Sequence, residues 1–283
     1  MSAVRNWARN QRCDPVAIEH PISTDHVADI VGSAATGGRT VKAIGAGHSF
    51  TAAAMTDGVS VSLDRMTGVV DVDPERRRVT VQAGISLAAL SDRLDEVGLA
   101  LPNLGDINVQ TIAGATATAT HGTGRRLGNL ATTIVGLTLV DGRGDIVRCD
   151  EHDNADLLRT ARVGLGALGI VTELTIEAVP AFDLHARERV EPLHDVLAGF
   201  DDFTREADHT ELFFFPGDGR ALTKRNHRTT EQRRPPSRLA ELRDKYLLEN
   251  AAFGMACRIG RRFPGLAPRI VSSVAGSAGG RDV

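Results

Sequence analysis

From Thr111 to Gly124 the chain reads Thr-Ile-Ala-Gly-Ala-Thr-Ala-Thr-Ala-Thr-His-Gly-Thr-Gly, and between Ile112 and His121 no side chain is larger than threonine. A flat or phosphorylated ligand can approach such a backbone closely. The alternation of Ala and Thr also fits a β-strand with one packed and one polar face. Strand cores fill themselves with larger side chains, so a long run of small ones leaves a gap that something must occupy. The stretch is read as a ligand surface, with a plain strand as the rival.

A second glycine-rich element strengthens the ligand reading. Residues 40–44 read as a short β-branched strand that runs directly into Gly45-Ala46-Gly47-His48-Ser49-Phe50-Thr51. Such a loop, its amides unhindered by side chains, forms a nest for phosphate or pyrophosphate oxygens. The dinucleotide fingerprint wants glycine where Phe50 stands, and no amphipathic helix opens behind it. No Gly-Lys-Ser/Thr follows, which excludes a P-loop. Further on, Gly164-Leu165-Gly166-Ala167-Leu168-Gly169 has the letters of GxGxxG, but a helical segment precedes it and a strand follows, the reverse of the dinucleotide order. It is read as a turn packed closely on something, and a nicotinamide-dependent dehydrogenase is disfavoured.

Around these elements short strands and helices alternate. Residues 1–22 are polar and irregular; Ser23 and Thr24 then cap a helix carried by His26, Val27, Ile30, Val31 and Ala34 and closed by Gly37-Gly38. Residues 59–63, 69–72 and 79–83 read as strands, with 73–78 as a solvated hairpin turn. Leu87, Leu90, Leu94 and Val97 mark a helix ending at Gly98. Residues 134–140 and 145–148 form a strand pair, 156–162 a short helix and 170–179 a strand. After Pro180 the character changes: 211–215 reads as a buried strand, 218–238 as a basic loop and 238–253 as a helix, while 274–283 has no visible means of packing. A domain boundary near residue 180 follows.

The totals narrow the function classes. With 283 residues, 42% hydrophobic and 24% charged, the chain can hold one large or two ordinary domains with a sizeable core. A net charge of -3 and 4% aromatic residues leave neither a basic footprint nor a base-stacking platform, so no nucleic-acid partner is expected. Cys13, Cys149 and Cys257 are odd in number and far apart, which provides no disulfide framework and no CxxC metal or redox site. No metal is expected, and a reducing cytoplasm fits. Neither a signal-peptide core nor a run near ~18 apolar residues occurs, so the expected location is cytoplasmic without a transmembrane segment, peripheral membrane association staying open.

Taken in order, Gly45-Ala46-Gly47-His48-Ser49-Phe50, Asn103-Leu104-Gly105, Ile112-Ala113-Gly114, Thr120-His121-Gly122-Thr123-Gly124 and Ala161-Arg162-Val163-Gly164-Leu165-Gly166-Ala167-Leu168-Gly169-Ile170 resemble one family. It is that of the FAD-linked sugar-lactone oxidoreductases of the vanillyl-alcohol-oxidase superfamily, the gulonolactone, arabinonolactone and alditol oxidases or dehydrogenases. The resemblance is dense over residues 14 to about 180 and looser beyond. It implies an α+β fold, with a two-subdomain FAD-binding domain of the PCMH type over residues 14–180 and the flavin between the subdomains. An incomplete substrate-cap domain of the arabinonolactone-oxidase kind would follow over residues 181–283.

On the same basis Gly45, Ala46, Gly47, His48, Ser49 and Phe50 are expected to cradle the pyrophosphate, in agreement with the nest reading. Many relatives bond the histidine of the Gly-His-Ser segment to the flavin 8α-methyl carbon. His48 is therefore the candidate for covalent attachment, with a histidine that only packs on the cofactor as the alternative. Thr111, Gly114, Thr118, Ala119, Thr120, His121 and Gly122 match the flavin-lining run, and Ile170 with Val171 the adenine side. Gly105 and Asp106 fall where the chain passes the reactive edge of the flavin. There the glycine leaves room for oxygen, and Asp106 is either a partner for a substrate hydroxyl or a turn residue.

The implied reaction is oxidation of the CH-OH group of an aldonolactone, D-arabinono-1,4-lactone or L-gulono-1,4-lactone, or of an alditol. A hydride passes to flavin N5, and oxygen or an electron-acceptor protein takes the electrons. The family pattern continues past this length with the rest of the cap and a His-Trp segment, so the chain is expected to be C-terminally truncated and no catalytic base is assigned. The rival reading is a catalytically silent flavin-binding fragment that needs a missing C-terminal half or a partner chain.

Overall fold

The hydroxyl of Ser23 accepts a hydrogen bond from the His26 amide at 3.1 Å and starts α1 (Thr24–Thr36), whose Val27, Val31 and Ala34 are buried at helical spacing. Ser86 does the same for α2 (Leu87–Glu96) through the Ala89 amide, and Leu87, Leu90 and Leu94 are fully buried. The computed structural model describes residues 3–214, 216–231, 253–277, 280 and 282. By their contacts the chain divides into two units, residues 1–122 with 127–181 and residues 123–126 with 182–283.

The first unit holds two main sheets. In the parallel one, β5 (Val59–Ser62) lies between β3 (Ala17–Glu19) and β4 (Val41–Ile44), and Val59, Ser60 and Val61 are buried, as expected for a strand paired on both sides. The antiparallel sheet has the order β10 (Ile146–Asp150), β9 (Ile134–Val140), β11 (Ile170–Glu177), β7 (Arg78–Gln82), β6 (Val69–Asp73). β9 is buried at every position, and β11 alternates with Ile170, Thr172, Leu174 and Ile176 inside. α1 packs on β9 and its neighbours, and α4 (Ala155–Ala161) on β9 and β10. β8 (Leu99–Ala100) pairs with β12 (Val179–Pro180), and a hairpin of β1 (Val4–Arg5) and β2 (Arg12–Cys13) precedes them all. Residues 1–22, read from their polarity as irregular, thus carry three short strands.

Leu90 has no exposed surface in the core cluster. Leu90→Ala is therefore expected to destabilise the chain by about 2–5 kcal/mol. The loss should appear as a lower urea midpoint at unchanged slope; a midpoint equal to the parent's would contradict this account of the core.

The strand rival for residues 111–124 is corrected. Residues Ile112–Ala117 form helix α3, with Thr111 as N-cap, its Oγ1 accepting the Gly114 amide at 3.2 Å. Ile112, Ala115 and Thr116 are buried at i, i+3 and i+4, and Thr116 Oγ1 donates back to the Ile112 carbonyl at 3.0 Å. A threonine that satisfies its hydroxyl on the preceding turn can be accommodated in a helix despite its preference for strands.

In the second unit β15 (Arg220–Thr229) is the central strand between β13 (Asp183–Pro192) and β14 (His209–Phe214), all antiparallel. α5 (Leu193–Ala198) and α6 (Phe200–Phe203) join β13 to β14. α7 (Phe253–Arg262) and α8 (Ala267–Ser277) follow. The basic loop expected over 218–238 is corrected up to residue 229. Lys224 lies 3.9 Å from Glu188 and 3.8 Å from Glu211 on the flanking strands, and such cross-strand pairing lets a basic segment be a central strand. Residues 232–252, which hold the rest of that loop and nearly all of the expected helix over 238–253, lie outside the described residues. α8 reaches Ser277, into the tail whose composition offered no means of packing. Among the described residues no helix is long and apolar enough to cross a membrane.

Candidate functional site

Because β4 and β5 are parallel, the loops that follow them leave the sheet at the same edge. The first loop, residues 45–50, closes tightly on α3. A Cβ added at Gly45 would sit 2.6 Å from Thr111 Oγ1, and one at Gly114 would sit 2.9 Å from the same atom. Glycine at both positions is what lets loop and helix meet at the threonine. Gly47 takes φ +70, the left-handed region. Among the described residues, no backbone or side-chain acceptor takes the amides of Ala46, Gly47, His48, Ser49 or Phe50. A row of amides left free in this way is the donor set an anion needs.

Beside the loop opens a cleft of about 510 Å³, within the roughly 300–1,000 Å³ of small-molecule sites. Gly45, Ala46, Thr111 and Gly114 form one end of its wall, and Gly166, Gly169, Ile170 and Val171 line it from the other elements. A hollow of about 120 Å³ continues past Gly47, His48 and Ser49 and shares Gly45, Thr111, Gly114 and Ala117 with the cleft. Asp64 is the one acid in these walls, and neither lysine nor arginine lines them. His20 Nδ1 lies 2.8 and 3.0 Å from the two Asp64 oxygens, and this hydrogen bond, outweighing a small cost of burial, holds the Asp64 carboxyl below the usual carboxylate range. With neither lysine nor arginine in the walls, an anion bound here would have the free amides as its donors.

The structure brings Gly45, Ala46, Gly47, His48, Ser49, Thr111, Gly114, Thr118, Ile170 and Val171 to the walls of the cleft and its adjoining hollow. Phe50 is at its edge, 63% exposed, and does not line it. Ala119, Thr120, His121 and Gly122 lie just beyond α3 and outside the lining. There Ala119 adopts φ +56, and His121 is exposed with its Nδ1 2.9 Å from the Gly122 carbonyl. Gly105 adjoins that group, since a Cβ on it would come within 3.2 Å of the His121 carbonyl and of Thr120. Asp106 is exposed and meets neither cavity.

Sequence reasoning missed Ser62, Asp64, Thr67, Gly84 and Ser86 of the cleft wall. A signal existed at Gly84, an isolated glycine directly behind a strand, which marks close backbone approach. It missed the N-terminal hairpin as well, whose Trp7 ring stacks on His48 with centroids 5.2 Å apart.

The residues present fit FAD on two counts: a row of unpaired amides suited to a pyrophosphate, and an apolar cleft running from that row with room for extended ring systems. Residues 15–150 match the family described as "FAD binding domain", and residues 174–283 the family described as "D-arabinono-1,4-lactone oxidase". An L-gulono-1,4-lactone dehydrogenase of Mycobacterium tuberculosis is 43% identical over 265 residues, 94% of this chain and 61% of that protein. L-gulonolactone oxidase of Bos taurus is 38% identical over 75% of this chain and 48% of its own length. Among solved structures, a cholesterol oxidase from B. sterolicum superposes with a TM-score of 0.83 at 20% identity, covering 98% of this chain and 57% of that one, which shows the FAD-binding fold of the PCMH type. The chain thus spans about three fifths of the length of the M. tuberculosis relative, 61%, and less of the others.

Proposed function

We propose that this chain, whose residues 15–150 match an FAD binding domain and whose residues 174–283 match a D-arabinono-1,4-lactone oxidase family, is an FAD-linked sugar-lactone oxidoreductase that oxidises the CH-OH group of an aldonolactone, D-arabinono-1,4-lactone or L-gulono-1,4-lactone, or of a related alditol. The observation that carries the reading is the row of free amides over residues 46–49, which line the apolar cleft at Ala46 and the adjoining hollow at Gly47, His48 and Ser49, in a chain whose later part matches a lactone-oxidase family. Bound FAD supplies the hydride acceptor, flavin N5.

The chain's own contribution is placement. Residues 14–180 are the FAD-binding part and residues 181–283 the partial substrate-cap part. The amides behind Gly45 meet the pyrophosphate charge, and Ile170 with Val171 packs the adenine end. Thr111, Gly114 and Thr118, which line the cavity, would flank the flavin, with Ala119, Thr120, His121 and Gly122 just beyond them, and His48 would be its covalent anchor. Gly105, which packs closely on Thr120 and His121, is the residue that would leave room for oxygen at the flavin edge. Asp106 is exposed and free to take a substrate hydroxyl. Oxygen or an electron-acceptor protein completes the turnover.

The test is the visible spectrum of the purified chain before and after acid precipitation, followed by turnover assays. Flavin bands are expected to stay with the precipitate of the parent and to pass to the supernatant in His48→Ala. Gulonolactone, arabinonolactone and xylitol are then offered with oxygen or cytochrome c as acceptor. A chain that takes up no FAD ends the cofactor assignment. Flavin bound but released by acid from the parent removes the covalent role of His48, and a flavin-loaded chain that oxidises none of the three removes the enzymatic reading.

A further inference from the structure

Asn6 is a buried polar side chain, 3% exposed, just behind β1. Its Oδ1 accepts the Gln11 amide at 3.1 Å, and its Nδ2 donates to Asn10 Oδ1 at 2.6 Å and to the Ser49 carbonyl at 2.9 Å. A buried carboxamide is costly unless its groups are bonded, and here both donors and the acceptor are engaged. The bond to Ser49 ties together residues 43 positions apart.

It is one of several such ties. The Trp7 amide donates to the Gly47 carbonyl at 2.8 Å, and the side chains of Asn10 and Gln11 donate to the Phe50 carbonyl at 3.1 and 3.2 Å. Three carbonyls of one short loop, those of Gly47, Ser49 and Phe50, are therefore turned onto the hairpin. In a trans peptide the carbonyl of one residue and the amide of the next point in opposite directions, and the described chain has no cis bond. The amides of His48, Phe50 and Thr51 consequently point away from the hairpin, while Gly47, His48 and Ser49 line the cavity. The Trp7 ring lies on the His48 imidazole at an interplanar angle of 21°, which restrains the ring that follows Gly47.

We propose that the hairpin over residues 4–13 is a working part of the cofactor site, with Asn6 as the positioning residue that aims the loop amides at a pyrophosphate. The inference rests on the FAD reading above. Its cause is geometric: without the carbonyl anchors each peptide plane of a loop with two glycines is free to rotate, and the amides lose their common direction.

The test uses the full chain prepared flavin-free from a riboflavin-starved host, as parent, Asn6→Ala, Asn6→Asp and the exposed double variant Asn10→Ala/Gln11→Ala. Flavin-fluorescence quenching measures FAD binding, and competition measures ADP, which has the pyrophosphate without the flavin, and riboflavin, which has the flavin without the pyrophosphate. Asn6→Ala is expected to weaken FAD and ADP alike by roughly tenfold or more, one charge-assisted hydrogen bond's worth, and to leave riboflavin unchanged. Asn6→Asp keeps the acceptor for Gln11 but loses the donor to Ser49, so it follows Asn6→Ala. With ADP bound, the amides of residues 48, 50 and 51 are protected from exchange in the parent and lose that protection in each variant.

A merely structural role would lower the melting temperature without separating ADP from riboflavin. If the parent binds FAD and all variants keep its ADP affinity, the inference is overturned while the cofactor assignment stands. The double variant decides the case even where Asn6 variants fold poorly, because its two side chains lie at the surface. A parent that binds no FAD overturns both.

Discussion

Arg225→Met is expected to loosen β13 and β15 so that their amides exchange roughly 30- to 150-fold faster, the factor that corresponds to about 2–3 kcal/mol of lost stability. The Arg225 side chain is 14% exposed. It bonds Glu191 at 2.7 Å and also Glu206, holds Thr223 Oγ1 at 2.7 Å, and stacks on Phe203 at 4.7 Å from its ring centre. Methionine keeps most of the packing volume and removes the charge, which leaves two carboxylates facing each other. Removing one partner of a fully buried pair costs about 3–5 kcal/mol; Glu206 is half-exposed and regains water, which sets the lower figure. Exchange at residues 183–192 and 220–229 equal to the parent's would show that the cluster holds nothing together.

The same cluster has a pH signature. Burial of Glu191 pushes its pKa up, but the hydrogen bonds from Thr223 and Arg225 and the charge of Arg225 outweigh it, so the carboxyl titrates below its ordinary value. A depressed carboxylate pKa contributes stability that is present above the unfolded value of about 4.3 and is lost as pH falls through the folded value. The difference between parent and Arg225→Met should therefore be full at neutral pH and shrink below about pH 4.3. A difference that persists undiminished at acid pH would mean that packing on Phe203, and not the carboxylates, is what the arginine supplies.

Strands were legible in the sequence where one face is apolar. Ile170, Leu174 and Ile176 alternate with polar residues, and the burial of β11 follows that alternation. The helices α1 and α2 were legible for the parallel reason, apolar residues at helical spacing, with a serine cap also read ahead of α1. Two segments misled. The Ala-Thr alternation ahead of Gly124 has period two in the sequence, yet burial at Ile112, Ala115 and Thr116 has helical period, because alanine and threonine are small enough for either face to be the inner one. β15 reads as a loop because Lys224 and Arg225 look solvated until Glu188, Glu191 and Glu211 are brought beside them by pairing across the sheet. In the site, the glycine loop after β4 was legible by its small residues. The wall after β5 and the hairpin at Asn6 were not, because they act through backbone direction and close approach, which leave little trace in side-chain chemistry.

Gly84→Ala is expected to damage the cleft wall, costing at least about 3 kcal/mol and lowering the melting temperature by roughly 6–12 °C. A Cβ there would lie 1.9 Å from the Leu63 carbonyl oxygen and 2.8 Å from that of Met66. Both obstacles are backbone, and both are already committed: the Leu63 carbonyl accepts the Met66 amide and the Met66 carbonyl accepts the Gly84 amide, each at 2.9 Å. No side chain can swing aside, so residues 63–66 must move as a piece. Leu63 and Asp64 line the cleft, and their displacement carries the His20 hydrogen bond with it. The variant should therefore lose FAD affinity by tenfold or more in addition to stability. Gly142→Ala is the matching control, since a Cβ there meets nothing within 4 Å and its φ lies outside the left-handed region. If Gly84→Ala melts with Gly142→Ala and binds FAD like the parent, the loop after β5 is soft and does not shape the cofactor site. If it melts early yet binds FAD normally at low temperature, that loop supports the fold alone, and the cofactor rests on the residues behind Gly45 and the hairpin that aims them.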